Sequence, residues 1–201
     1  MDVFVFDVSV AWPDEDRYYQ SSVRLAQHSD DGSADLVLKV LAYGLEYKGE
    51  QTFFTRQDFN PKEPELVVLD ELGGMVSWVE IGQTSVARLT RASKRAGHVS
   101  LYSSESLSQL EEMLQSGRIA NKDRLRIFHI DPDFIQAIAQ LLSRRNEFGI
   151  TRLGSTLYVV LDGKSFETEV SQRCIGFNGR LEYCESQREE ASYTRSDSRR
   201  I

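Results

Sequence analysis

Apolar positions along the chain follow two rhythms, a period of two for strands and of three to four for helices. Val and Phe alternate through 3–12, which predicts a strand. After the polar turn Asp14-Glu15-Asp16, Tyr18, Tyr19, Val23 and Leu25 mark a second strand over Arg17–Gln27. The polar run 29–33 reads as a loop, with Ser33 placed to cap the next element. From Ala34 to Tyr47 the apolar residues at 36, 37, 40, 41 and 45 give a helix, stopped by Lys48-Gly49. Thr52-Phe53-Phe54 is a short strand, and Asn60-Pro61-Lys62-Glu63-Pro64 is a loop because proline cannot donate to a ladder. The unbroken run Leu66–Leu69 predicts a buried strand, turned at Gly73-Gly74 into a strand over Met75–Ile81.

A helix opens after Gly82-Gln83-Thr84 and runs to about Ala96, with Gly97 as its stop. A strand over His98–Tyr102, a helix capped by Ser104, and a strand over Arg124–His129 follow. Asp131-Pro132 starts a helix expected to reach about Arg145. Short strands at Ile150–Arg152, Thr156–Leu161 and Lys164–Val170 close the pattern, the last two joined by the hairpin turn Asp162-Gly163. Residues 185–201 carry four acids and four bases and no core positions, and are expected to be disordered. This order predicts a mixed α/β domain with helices packed on a sheet.

Composition narrows the function classes. The chain has 201 residues, 40% of them hydrophobic and 27% charged, enough for one domain with a core of its own. No apolar run is long enough to span a bilayer, and acids stand where a signal peptide carries bases, so a cytoplasmic, membrane-free protein is expected. The two cysteines, Cys174 and Cys184, are read as structural or incidental thiols, because a reducing compartment disfavours a disulfide and no paired metal-ligand spacing is present. Charge is uneven: residues 1–83 carry 16 acids and 6 bases, a net of −10, whereas residues 84–201 carry 15 acids and 18 bases, a net of +3. An acidic first half argues against general coating of nucleic acid but leaves room for a local basic strip. GxGxxG, the P-loop and GxSxG are all absent, which removes the usual signals for a nucleotide cofactor or an α/β-hydrolase.

Two carboxylates stand out by position. Glu63 precedes a buried strand and Glu80 ends the next, so an antiparallel pair turned at Gly73-Gly74 brings both to one end of the sheet, with Asp70 and Glu71 at the other. Paired carboxylates suit Mg²⁺ or Mn²⁺, which keep several waters and take one or two acid ligands. Acids at strand ends are, by themselves, usually solvated. The following helix bears Arg88, Arg91, Lys94 and Arg95 and no acid between 84 and 97; Arg88, Arg91 and Arg95 share one face opposite Val86, Leu89, Ala92, Ser93 and Ala96. Guanidinium groups suit phosphate oxygens, although a basic stripe is also an ordinary solvated face. His28, at a strand end, reads as a loop hydrogen-bonder.

Five segments, in order, resemble the YaeQ family of bacterial proteins: Asp16-Arg17-Tyr18-Tyr19, Leu25-Ala26-Gln27-His28, Val40-Leu41-Ala42-Tyr43, Glu63-Pro64-Glu65-Leu66 and Trp78-Val79-Glu80-Ile81-Gly82-Gln83. The resemblance covers about residues 1–172 as a single domain, with 173–201 as a C-terminal extension. It implies kinship with the PD-(D/E)xK nuclease superfamily. The implied fold is restriction-endonuclease-like, a mixed β-sheet flanked by helices, here with extra N-terminal strands and a C-terminal hairpin. The superfamily core is helix, three strands, helix, strand, which is the order read over 34–102.

By that resemblance Glu63 and Glu80 would hold Mg²⁺ or Mn²⁺, Gln83 would position the attacking water, and Arg88, Arg91 and Arg95 would bind nucleic-acid phosphate. The ExK lysine position reads Gly82, and Arg91 stands where the family carries a substitute lysine on the following helix. Arginine clamps phosphate well but is a poor base. The acid of the first core helix reads Ala34, with Asp35 as the nearest carboxylate. Two functions follow as expectations: a divalent-metal-dependent nuclease or phosphodiesterase using Glu63, Glu80, Gln83 and Arg91, or a catalytically degenerate nuclease-fold module that binds nucleic acid or a protein.

Overall fold

The computed structural model describes residues 2–27, 32–55, 62–176 and 180–184. His28, residues 60 and 61 of the loop before Lys62, and the 185–201 tail lie outside the described residues. The strands are β1 (Asp2–Trp12), β2 (Arg17–Gln27), β3 (Thr52–Phe54), β4 (Leu66–Leu69), β5 (Met75–Ile81), β6 (His98–Ser103), β7 (Leu125–Ile130), β8 (Arg145–Leu153), β9 (Thr156–Leu161), β10 (Lys164–Ile175) and β11 (Leu181–Tyr183). The helices are α1 (Ser33–Glu46), α2 (Val86–Arg95), α3 (Leu107–Gln115) and α4 (Pro132–Ala139).

One mixed sheet runs in the order β2-β1-β8-β9-β10-β7-β6-β5-β4-β3, with β11 added on β10. The pairs β1–β8, β5–β6 and β6–β7 are parallel and the others antiparallel. The long β10 makes this possible: its first half pairs β9 and its second half pairs β7, so one strand carries the curled sheet from the N-terminal strands to the central ones.

Period-two alternation then sorts side chains onto two cores. One packs α1 and α4 against Phe6, Val8, Val10, Phe148, Ile150, Val79, Ile81, Tyr102 and Phe128. The other packs α2 and α3 against Trp78, Val99, Leu101, Leu125 and Ile127. Leu66, Val67 and Val68 are all buried, Leu66 in the α1 core and Val67 paired with Trp78 of the other, in keeping with a sequence that is apolar without alternation. Among the described residues no helix is long and apolar enough to cross a membrane.

Local chemistry sets the boundaries, and three expectations change. Gly32, not Ser33, caps α1, its N–H donating to Asp35 Oδ2 at 2.8 Å. Ser106, not Ser104, caps α3, accepting from Gln109 N–H in a reciprocal capping box. The helix begun at Asp131-Pro132 ends at Ala139, well before Arg145. Residues 145–153 instead alternate around buried Phe148 and Ile150 and form β8. Buried Asn146 fixes that corner, accepting from Ser143 N–H at 2.8 Å and donating to the carbonyls of Ser143 and Val5 at 2.8 and 3.3 Å.

Cys174 and Cys184 also differ from expectation: they form a disulfide between the end of β10 and the residue after β11, with Cα atoms 5.2 Å apart. The antiparallel ladder Arg173–Ile175 with Leu181–Tyr183 brings the two thiols together, a proximity that spacing of ten residues alone did not reveal.

Candidate functional site

The site is set by the β4–β5 register. Leu66 lies opposite Val79 and Val67 opposite Trp78, so the residue that precedes β4, Glu65, enters beside Glu80, whose carboxyl it influences electrostatically. An irregularity at Val68/Leu69 shifts the register next to the Gly73-Gly74 turn. The acid beside Glu80 is Glu65, which the sequence reading passed over. Glu63 meets the site through its backbone carbonyl, which accepts from Arg88 Nη2 at 2.9 Å.

Glu80 is 2% exposed and Arg88 8%. Arg88 Nε donates to Glu80 Oε2 at 2.5 Å, and the Trp78 indole N–H donates to Oε1. Burial raises the Glu80 carboxyl above its ordinary value, and Glu65 pushes the same way; the hydrogen bonds from Arg88 and Trp78 and the Arg88 charge oppose this without cancelling it. Glu65 in turn pairs with Lys39 of α1 at 3.1 Å. The sheet end thus holds a chain of charges, Lys39, Glu65, Glu80 and Arg88, drawn from α1, the start of β4, β5 and α2.

The α2 stripe divides on folding. Ser85 caps the helix and sets its first turn over the end of β5, which turns Arg88 inward onto Glu80. Arg95 donates to the Lys62 carbonyl at 2.8 Å and lies 5.5 Å over the Trp78 ring, so it closes the loop before β4. Arg91 and Lys94 face solvent, as does Gln83. The residues predicted as one phosphate-binding face therefore split: Arg88 is buried and Arg95 is anchored, while Arg91 remains outward.

Gly82 stands where the resemblance implies a lysine. Its φ is +73° while its N–H bonds the Tyr102 carbonyl at 2.8 Å, so the backbone crosses this point in a conformation that costs an L side chain roughly 1–2 kcal/mol.

Among the described residues no group of three or more His, Cys, Asp or Glu side chains is placed to hold a metal ion. Both oxygens of Glu80 are engaged and Glu65 is ion-paired. A divalent cation would have to displace Arg88 or Trp78 from Glu80 and Lys39 from Glu65, so the donor set in this arrangement does not fit Mg²⁺ or Mn²⁺ and supports no metal-borne step.

The fold and this acid–base cluster define a class: mixed α/β proteins with a curled sheet flanked by helices, and a buried carboxylate at the end of a central strand. The description YaeQ protein matches residues 1–170. The chain belongs to the YaeQ family. It is 22% identical over 170 residues to the YaeQ protein of Escherichia coli (strain K12), covering 84% of this chain and 93% of that one. The crystal structure of YaeQ from Pseudomonas syringae matches with a TM-score of 0.76 at 22% identity, covering 85% of this chain and 94% of that one. YaeQ from Xanthomonas axonopodis pv. citri gives a TM-score of 0.76 at 21% identity, over 86% and 97%. At these identities the two structures speak for the fold.

Proposed function

We propose that this chain is a nucleic-acid-binding module on a restriction-endonuclease-like frame related to the PD-(D/E)xK superfamily, with its acid pocket sealed by an arginine. The succession α1, β3, β4, β5, α2, β6 supports that relation. The engagement of Glu80 by Arg88 and Trp78 carries the functional reading: the carboxylate that would serve a metal instead neutralises a buried guanidinium. The binding face consists of the outward bases of α2, Arg91 and Lys94, together with exposed Arg118 and Arg124 from the segment packed along it. That segment is tied to α2: Thr90 Oγ1 donates to the Arg118 carbonyl at 3.2 Å, and Arg124 Nη1 donates to the Ser93 and Ala96 carbonyls at 3.3 and 3.2 Å. Bases from two elements thus share one face, as a phosphate backbone requires.

The test is binding of a fluorescent single-stranded and a duplex oligonucleotide across a salt series. The expected result is salt-sensitive binding that Arg91→Glu/Lys94→Glu weakens by about tenfold or more, with a salt slope smaller by about two. Salt-independent binding, or affinity unmoved by the double reversal, overturns the reading. The second reading, a Mg²⁺- or Mn²⁺-dependent phosphodiesterase, requires Arg88 and Lys39 to yield the carboxylates to the metal, and rests on the closeness of Glu65 to Glu80. Cleavage of either oligonucleotide in Mn²⁺, lost in Glu65→Gln, would put it first.

A further inference from the structure

A second polar site lies beyond the C-terminal end of α1, away from Glu80. The sheet face that packs on α1 is apolar along Val79, Ile81, Tyr102, Phe128, Ile130 and Val170. At one end the same face turns polar on four neighbouring strands, at Ser77, Ser100, Arg126 and Gln172, which share the alternation of those core residues. Ser77 and Ser100 are buried there. The polar belt floors a pocket of about 430 Å³, walled by Trp12, Arg17 and Arg152. That volume lies in the range of small-molecule sites.

The charges of this pocket are arranged unevenly. Four cationic side chains, Arg17, Lys48, Arg126 and Arg152, meet three acids, Asp14, Glu15 and Glu46. Glu15 is paired with Arg17 Nη1 at 3.0 Å, Asp14 accepts from the Gly154 N–H at 2.6 Å and Glu46 from the Tyr102 hydroxyl at 3.1 Å, so the lining carries one more cation than acids. Arg152 is only 5% exposed, its Nε donating to the Gly154 carbonyl at 3.1 Å and its guanidinium 4.4 Å over the Trp12 ring. Arg17 approaches the same ring at 5.0 Å. The Tyr102 and Phe128 rings stack at 4.6 Å and continue the floor along the same sheet face, beside Ser100 and Arg126. Guanidinium groups beside flat aromatic walls are the donor set that recognises an oxyanion carried on a ring.

We propose that this pocket binds a small aromatic oxyanion, with Arg126 and Arg152 at the charged group and Trp12 beside the ring. The site is separate from the α2 face and does not depend on nucleic-acid binding. The probe is benzoate, titrated into the full chain while the two indole N–H signals of Trp12 and Trp78 are followed by NMR. The expected result is a saturable shift of the Trp12 signal alone, with a Kd below about 5 mM. Arg126→Gln, at a half-buried position whose Nη1 bonds carbonyls of its own segment, is expected to weaken binding about tenfold, and inorganic phosphate to compete. Ser100→Val, which replaces a hydroxyl of the floor by a methyl and adds a second one, is expected to weaken binding, with unchanged spectral dispersion reporting an intact fold. No Trp12 response, equal movement of both indoles, or a response indifferent to Arg126→Gln and to phosphate overturns the proposal.

Discussion

At the scale of single residues, Glu80 and Arg88 act as one unit. Each is a buried charge facing the other, and together they join β5 to α2 and, through the Glu63 carbonyl, to the loop before β4. Glu80→Ala is expected to cost about 3–5 kcal/mol, because it takes the Glu80 carboxylate from a buried guanidinium. Glu80→Leu/Arg88→Leu is expected to cost less than Glu80→Ala, since neither charge then remains; urea unfolding of both variants checks this, and a cost near zero for Glu80→Ala would mean that the pair is not structural. The pH dependence follows from the raised Glu80 carboxyl. Its folded value lies above the ordinary 4.5, so the folded state takes up this proton first as pH falls. The contribution of Glu80 to stability therefore grows on acidification through the folded value and levels off below 4.5. The stability of the parent relative to Glu80→Gln should rise from neutral pH toward pH 4.5; a constant or falling difference contradicts the assigned direction.

At the scale of elements, close approach and covalent closure hold the pieces in place. Gly44 lets α1 lie against the sheet: a Cβ there would sit 2.4 Å from Ile150 Cδ1 and 3.4 Å from Val10 Cγ2. Gly44→Ala gains about 1 kcal/mol of helix propensity. Overpacking against buried Ile150 costs typically 1–3 kcal/mol, about as much or more, so a lower Tm is expected. A higher Tm would show that Ile150 moves aside freely. At the other end of the chain the Cys174–Cys184 bond closes the β10–β11 pair, which is further tied by Leu181 N–H donating to Glu111 Oε1 at 2.9 Å. For a loop of this length, reduction should remove about 2–3 kcal/mol. Faster amide exchange confined to β10–β11 under reductant, with a lower Tm, is the expected readout; unchanged exchange would mean that the ladder holds without the bond. The α2 helix shows how an element divides its residues: its cap at Ser85 and its packing on Trp78 determine which arginines turn inward.

At the scale of the molecule, the sheet separates two chemistries. The Glu80 cluster lies at the end of β5 where α2 begins, and the polar pocket lies on the α1-facing side near the other end of the strands. The route between the two halves of the sheet is β10, which leaves β9 and joins β7. Among the described residues no helix covers the outer face of β1, β2, β8 and β9, which forms an open trough of about 1120 Å³, bordered by Asp7, Ser9, Gln20 and Glu147. Its residues alternate with the buried Phe6, Val8 and Val10, so one pattern of alternation specifies both the core and the open face.

The sequence by itself determined most strands, because period-two alternation and turn residues are local: β2, β3, β4, β5 and β9 fall on the residues that the pattern marks. It determined that an acid at Glu80 and a basic helix after it lie close together, because five residues separate that acid from the helix start. Tertiary structure decided the rest. The end of α4 depended on a parallel β1–β8 partner more than a hundred residues away. The disulfide depended on a ladder, and the nearness of Glu65 to Glu80 on the register in which β4 meets β5. Whether Arg88 reaches solvent or closes on Glu80 depended on how α2 docks. Local spacing fixes which residues share a face of one element, but only packing fixes what that face meets.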